Sequence, residues 1–414
     1  MVIYRAKDGD TVASIARKHS ILPNRLCELN GIAAEHPLIP GQALVIDSPC
    51  KSYYVKAGDT LRGIAAHHRI PLSTLKRQNP ALAGGEEIYP GMTLTLRNAE
   101  TPRGAIAVLG YTAADTEPGA LSRLLPYLTY LAVVGTVVDE NGRLLSTDDA
   151  TTVAEARKAG VAPLLTVAPQ MGVFEDRLLH SVLSDEGRDA LADAITDHVR
   201  SRGYGGVLLE MPFACHTMHE PYNALVARLR RRLGHGMAVL STLSPLAMPT
   251  ERTTLATLGR AANGLVLSAY DFATRYGTPA PEAPYDRVKE TLSAIDGWVR
   301  PQKLILGLSA RAEDFPVGGG DGRVYATPDI EPLAREHGGR ISYDPIGRVP
   351  YLSYHTDGGD RIVFFEDAES FYEKLSLVAE GGFGGVALFP AVGMAQPLLS
   401  VLSLMYSVVK PYGG

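Results

Sequence analysis

Apolar positions follow two rhythms along the chain, and the shorter one is written twice. In the first 97 residues, runs at 2–6 and 43–46 read as strands, and Val12, Ile15 and Ala16 share one helical face. The same order returns with runs at 52–55 and 93–96 and with Leu61, Ile64 and Ala65. Residue identities repeat as well, about 49 positions apart: Lys7-Asp8-Gly9-Asp10-Thr11 as Lys56-Ala57-Gly58-Asp59-Thr60, His19 as His68, Asn30 as Asn79, and Pro40-Gly41 as Pro90-Gly91. Gly-Asp-Thr supplies a tight turn and a helix cap. A second short helix is expected at 24–29 and again at 73–78, closed by Asn30 or Asn79, residues that tolerate a left-handed backbone. The prediction is two small α+β domains, 1–48 and 51–97, each ordered strand, helix, helix, strand.

After a linker at 98–103 the rhythm changes. Apolar runs of strand length at 105–111, 130–134, 162–167, 206–211, 237–242, 264–270, 303–308 and 385–389 alternate with amphipathic stretches at 149–159, 185–202, 222–233, 285–299 and 368–379. Repeated strand–helix units around a parallel sheet, eight in all, predict an α/β fold, a (β/α)8 TIM barrel over 104–414 whose chemistry sits at the C-terminal ends of its strands. The stretch at about 311–365 is too long for a loop and carries strand-like pieces of its own. It reads as a small α+β insertion between strands seven and eight, with Gly318-Gly319-Gly320 at a tip.

Composition narrows the classes. With 45% hydrophobic and 21% charged residues, the chain can bury ordinary cores. No apolar run reaches the length of a membrane span. Residues 1–97 hold 12 basic and 8 acidic side chains, net +4, and the remainder 28 and 37, net −9. A mildly basic front suits an anionic polymer, while no clustered basic footprint suggests nucleic acid. Cys27, Cys50 and Cys215 form neither a disulfide framework nor a zinc pattern, and no cofactor is expected. The strand at residue 2 follows no basic and apolar leader, which argues against Sec-type export of the chain.

The repeated pattern resembles the LysM domain, a binder of N-acetylglucosamine polymers such as peptidoglycan and chitin. That resemblance implies glycan contacts from Gly9, Asp10, Thr11 and Val12 with Leu38, Ile39 and Pro40. In the second copy they are Gly58, Asp59, Thr60 and Leu61 with Ile88, Tyr89 and Pro90. Asp10 and Asp59 also have a purely architectural explanation as turn formers. Paired weak sites would gain by avidity.

The barrel resembles glycoside hydrolase family 18, and within it the LysM-linked spore germination and cortex-lytic N-acetylglucosaminidases of spore-forming bacteria. The resemblance is carried by Val108-Leu109-Gly110-Tyr111, Tyr127-Leu128-Thr129-Tyr130, Arg202-Gly203-Tyr204-Gly205-Gly206-Val207, Ser268-Ala269-Tyr270-Asp271, Tyr343-Asp344, Pro350-Tyr351 and Phe365-Glu366-Asp367-Ala368. It implies substrate-assisted hydrolysis, in which the acetamido oxygen attacks the anomeric carbon. One strand-four Asp stabilises the resulting ion and a Glu two residues later protonates the leaving oxygen, a scheme outside the usual carboxylate pair. Related members read Asn-Ile-Asp-Phe-Glu where this chain has Leu208-Leu209-Glu210-Met211-Pro212. Ungapped, Glu210 takes the Asp position and Pro212 the acid position. A two-residue shift would make Glu210 the acid and leave Leu208 at the Asp position. Glu220 and Asp271 are further candidate carboxylates, and Glu210 can equally be a buried carboxylate with a structural partner.

The same resemblance implies a Tyr270 contact to the acetamido group and an aromatic platform from Tyr111 and from Phe389, which stands where such barrels commonly carry Trp. Trp298, expected on an outer helix, reads as packing. Cys215, His216, His219 and Glu220 lack metal-ligand spacing, so no metal is expected. Three functions follow: a peptidoglycan-binding protein of the spore envelope with weak or lost hydrolysis, an active N-acetylglucosaminidase using Glu210, or a structural coat or cortex component that also meets coat proteins. Envelope location would be reached by synthesis inside the mother cell.

Overall fold

The computed structural model of the chain describes residues 1–35, 37–82, 84–139, 141–170, 184–211, 218–249, 251–270, 272 and 278–411. In the first module, strand Val2–Arg5 pairs antiparallel with Ala43–Ile46 around helices Val12–Lys18 and Pro23–Asn30. The second repeats this with Pro49–Tyr54, Thr93–Asn98, Leu61–His67 and Leu72–Gln78. Each first helix starts at a threonine whose hydroxyl accepts a backbone N–H: Thr11 from Ser14 and Thr60 from Gly63, both at 3.1 Å.

Asn30 and Asn79 do a different job from the one expected of them. The Asn30 amide donates to the carbonyls of Leu26 and Val45, both at 2.8 Å, and its oxygen accepts the Val45 N–H at 2.7 Å. Asn79 does the same with Leu75 and Thr95. Each is a buried clamp between the second helix and the last strand. At the end of the first module's second helix the left-handed backbone belongs to Gly31, at φ 63°, and Asn79 lies at φ −128°.

Eight parallel strands close the barrel: Ala105–Ala113, Tyr130–Val138, Ala162–Pro169, Gly206–Leu209, Ala238–Leu243, Gly264–Leu267, Leu304–Ser309 and Gly385–Phe389, with Gly385 of the last opposite Ala107 of the first. Each strand sends at least one side chain into a common plug: Leu109, Ala132, Leu164, Leu208, Leu240, Val266, Ile305 and Ala387, with Tyr111 and Ala238 added from strands one and five. Alternation along a strand then turns the next residue outward, onto the larger core beneath the helices. Helices Pro118–Leu124, Arg252–Ala261 and Gln396–Met405 were not expected from the pattern. The last is apolar nearly all round and buried, so it carries little amphipathic signal. Strand six stops at Leu267 and leaves Tyr270 in a turn, and helix Tyr285–Ala294 ends before Trp298, which packs half-buried on the outer core.

The insertion is a five-stranded antiparallel sheet with helix Ile330–Glu336, and Ile341–Asp344 is one of its edges. Both modules dock on the barrel. Arg5 pairs with Asp367 at 3.0 Å and with Glu369, and lies over the Tyr343 ring at 4.3 Å. The Ser400 hydroxyl donates to the Leu29 carbonyl at 2.7 Å. In the second module, Arg77 donates to the Pro126 carbonyl at 2.8 Å; burial lowers its guanidinium to about 10, which leaves it charged at neutral pH. Arg25 ties the modules together through the Gln78 carbonyl and the Asn98 amide, both at 2.9 Å.

Candidate functional site

Strand four decides what the barrel mouth can do. Leu208 is fully buried in the plug, so Glu210, two residues on, also faces inward. Its N–H continues the ladder to the Val167 carbonyl at 2.9 Å, and the Thr242 hydroxyl donates to the neighbouring Leu209 carbonyl at 3.0 Å. The half-buried Glu210 carboxylate accepts a hydrogen bond from the Tyr111 hydroxyl at 2.7 Å, across from strand one. Tyr111 meets Phe389 edge to face at 5.6 Å, and Tyr270 stacks on Phe389 at 5.5 Å with an interplanar angle of 8°. Four residues singled out from the sequence thus form one cluster of three rings and a carboxylate. Pro212, Cys215, His216 and Asp271 lie outside the described residues. Glu220 is exposed in the first turn of helix His219–Leu233.

A second group at the mouth was not singled out. Arg311, just past strand seven, lies over the Phe389 ring at 5.2 Å. It pairs with the buried Glu282 and stands 3.9 Å from Glu313. Arg311 and Glu313 alternate on the first strand of the insertion, so parity puts them on one face. That signal was legible, but nothing in the sequence brings Glu282 to them. These two acids are held against a cation beside the aromatic platform.

The module loops are built alike and covered differently. Asp10 accepts from the Tyr4 hydroxyl at 2.9 Å and from the Lys7 N–H at 2.8 Å; Asp59 repeats both distances with Tyr53 and Lys56. The backbone N–H holds each carboxyl below its usual range. Both acids are thereby committed to their turns. Tyr4 also packs edge-on against His19, as Tyr53 does against His68. Gly9, Thr11, Gly58 and Thr60 are exposed, while Val12 and Leu61 are buried in their modules' cores.

The second loops diverge. Tyr89 is 63% exposed, with Pro90 exposed beside it and Ile88 half-buried. Its counterpart Ile39 is 4% exposed and sits in the insertion's core among Ile330, Ile341 and Leu352. The Pro40 carbonyl accepts the Ile341 N–H at 3.0 Å. Ile39, expected to face sugar, therefore faces protein. Leu38 and Pro40 are half-buried beside it.

Residues 4–47 and 53–97 match the LysM domain, and residues 129–392 match Glycosyl hydrolases family 18. The chain is 25% identical over 393 residues to the "Putative sporulation-specific glycosylase YdhD" of Bacillus subtilis (strain 168), covering 92% of this chain and 93% of that protein. It is 25% identical to the cortical fragment-lytic enzyme of Bacillus anthracis, covering 95% and 96%. In fold it resembles the spore cortex-lytic enzyme SleL of Bacillus cereus, with TM-score 0.80 at 24% identity and 99% of both chains covered. Among the described residues no helix is long and apolar enough to cross a membrane.

Proposed function

The chain belongs to glycosyl hydrolases family 18 and carries two LysM domains, and from that premise we propose that it is a peptidoglycan-binding protein of the spore envelope whose barrel has weak or lost hydrolytic power. Peptidoglycan binding and membership of a glycosidase family follow from the matched domains. The envelope location rests on relatives named for the spore cortex and for sporulation.

One observation carries the impaired chemistry: the inward positions of strand four run Leu208 then Glu210, with the Glu210 carboxylate bonded to Tyr111. Substrate assistance needs a carboxylate for the forming ion and, one inward position further, a carboxylic acid for the leaving oxygen. With Glu210 in the first role, sequence parity gives the second to Pro212, which has no proton to deliver. With Glu210 in the second role, the first falls to Leu208, a hydrocarbon in the plug. Either register leaves strand four one carboxylate short, and loss of a general acid alone forfeits a rate factor of about 10²–10⁴. Glu282 and Glu313 are engaged with Arg311, which makes them poor replacements. Glycan entering the mouth would still meet the half-buried Phe389 ring, backed by the buried Tyr111 and Tyr270.

The test is to incubate the full chain with insoluble peptidoglycan and with cortical fragments. The chain is expected to sediment with the polymer, to be competed off by N-acetylglucosamine oligomers, and to release few muropeptides. Failure to sediment would remove the binding half of the proposal, and rapid release the catalytic half.

A further inference from the structure

We infer that the first LysM module has been withdrawn from glycan binding and serves as the clasp of the barrel's insertion, so that the second module alone captures glycan. This rests on the proposed peptidoglycan binding and on the glycan contacts that the LysM resemblance implies at 38–40 and 88–90, taken with their flanks as the loops 37–42 and 86–92.

Four observations around the first loop point the same way. Ile39 completes a hydrophobic core that otherwise belongs to the insertion, alongside Ala312, Ile330, Ile341 and Leu352. The Pro40 carbonyl, a group that could have met an acetamido N–H, is already bonded to Ile341 on the edge strand. Gly41 lies so close that a Cβ there would sit 1.9 Å from the Ile341 carbonyl oxygen, whereas at Gly91 it would meet nothing within 4 Å. A polar rim finishes the seal: Gln42 donates to Glu331, Arg340 pairs with Asp8, and Arg335 reaches the Pro37 carbonyl at 3.4 Å. A sugar could enter only by replacing all of these together.

The clasp also explains why the edge strand Ile341–Asp344 can end the insertion's sheet, since the loop caps its first N–H. The root of that sheet carries Arg311 and Glu313 at the barrel mouth. Holding its far edge thus fixes one wall of the cleft.

Hydrogen exchange of the full chain, read peptide by peptide with and without saturating N-acetylglucosamine pentamer, tests this. In the free chain, peptides over 38–42 should exchange at least tenfold more slowly than those over 88–92. The sugar should add protection over 86–92 and not over 37–42, and Tyr89→Ala should abolish that gain. Ile39→Ala should speed exchange across 311–365 while leaving the response at 86–92 in place. Sugar entering the barrel registers on other peptides and does not confuse the result. Added protection at 37–42, or unchanged exchange of the insertion in Ile39→Ala, would overturn the inference. Protection in neither module would instead overturn the glycan-groove proposal on which it rests.

Discussion

The two LysM modules share a framework and differ in what covers it. Both clamp their last strand with a buried asparagine, lock their first turn with an Asp–Tyr pair and cap their first helix with threonine. The divergence lies in a handful of outward positions. Where the first module has Arg5 on Asp367 and Ile39 in the insertion, the second has Tyr54 and Tyr89, both largely exposed. A duplicated domain thus keeps its interior and spends its surface differently. One copy becomes part of the barrel's architecture, while the other presents an aromatic loop to solvent.

Paired substitutions sharpen the contrast, beginning with the largest effect. Gly41 and Gly91 both sit at positive φ, 88° and 92°, so alanine strains both backbones by about 1–2 kcal/mol. Only at Gly41 does the methyl also meet the Ile341 carbonyl. In denaturant titrations of the full chain, Gly41→Ala is expected to lose about 3 kcal/mol more than Gly91→Ala. Equal losses would break the comparison. Next, Ile39→Ala empties a buried site and should cost about 2–4 kcal/mol, whereas Tyr89→Ala should stay within about 0.5 kcal/mol and weaken sedimentation with peptidoglycan instead.

The second module's dock includes Arg77, whose guanidinium donates to the Pro126 carbonyl. Arg77→Ala leaves the buried Pro126 carbonyl without its donor and should cost about 1–3 kcal/mol. The last effect is pH-dependent. Lys410 donates to the Leu125 and Leu128 carbonyls on either side of Pro126, and burial lowers its ammonium to about 7. The unfolded chain keeps that proton up to about pH 10. Between pH 7 and 10 the unfolded state therefore binds more protons, so stability rises with pH in that window and is flat below it. From pH 7 to 9 the full chain should gain about 2 kcal/mol relative to Lys410→Met, measured by thermal melting.

The sequence displayed what is local and concealed what depends on distant partners. The repeat, the eight strands and the insertion follow from apolar spacing, and inward parity on strand four correctly joined Leu208 to Glu210. Asn30 and Asn79 drew attention as repeated residues, yet their role needed the facing strand. The burial of Ile39 depends on side chains some 300 positions away, so its loop could not be told apart from that of Tyr89. The Arg311–Glu282 pair escaped notice for the same reason. Tyr270 reached the site through family resemblance, since its strand ends three residues earlier.

The central claim concerns strand four, and product release from cortical fragments tests it most directly, followed by mass spectrometry for the full chain, Glu210→Gln and Pro212→Glu. The account predicts that the unmodified chain and Glu210→Gln release muropeptides at indistinguishable, near-background rates, and that Pro212→Glu, which returns an acid to the vacant position, is the faster of the three. Robust turnover by the unmodified chain that Glu210→Gln lowers by about 10²-fold or more would contradict it.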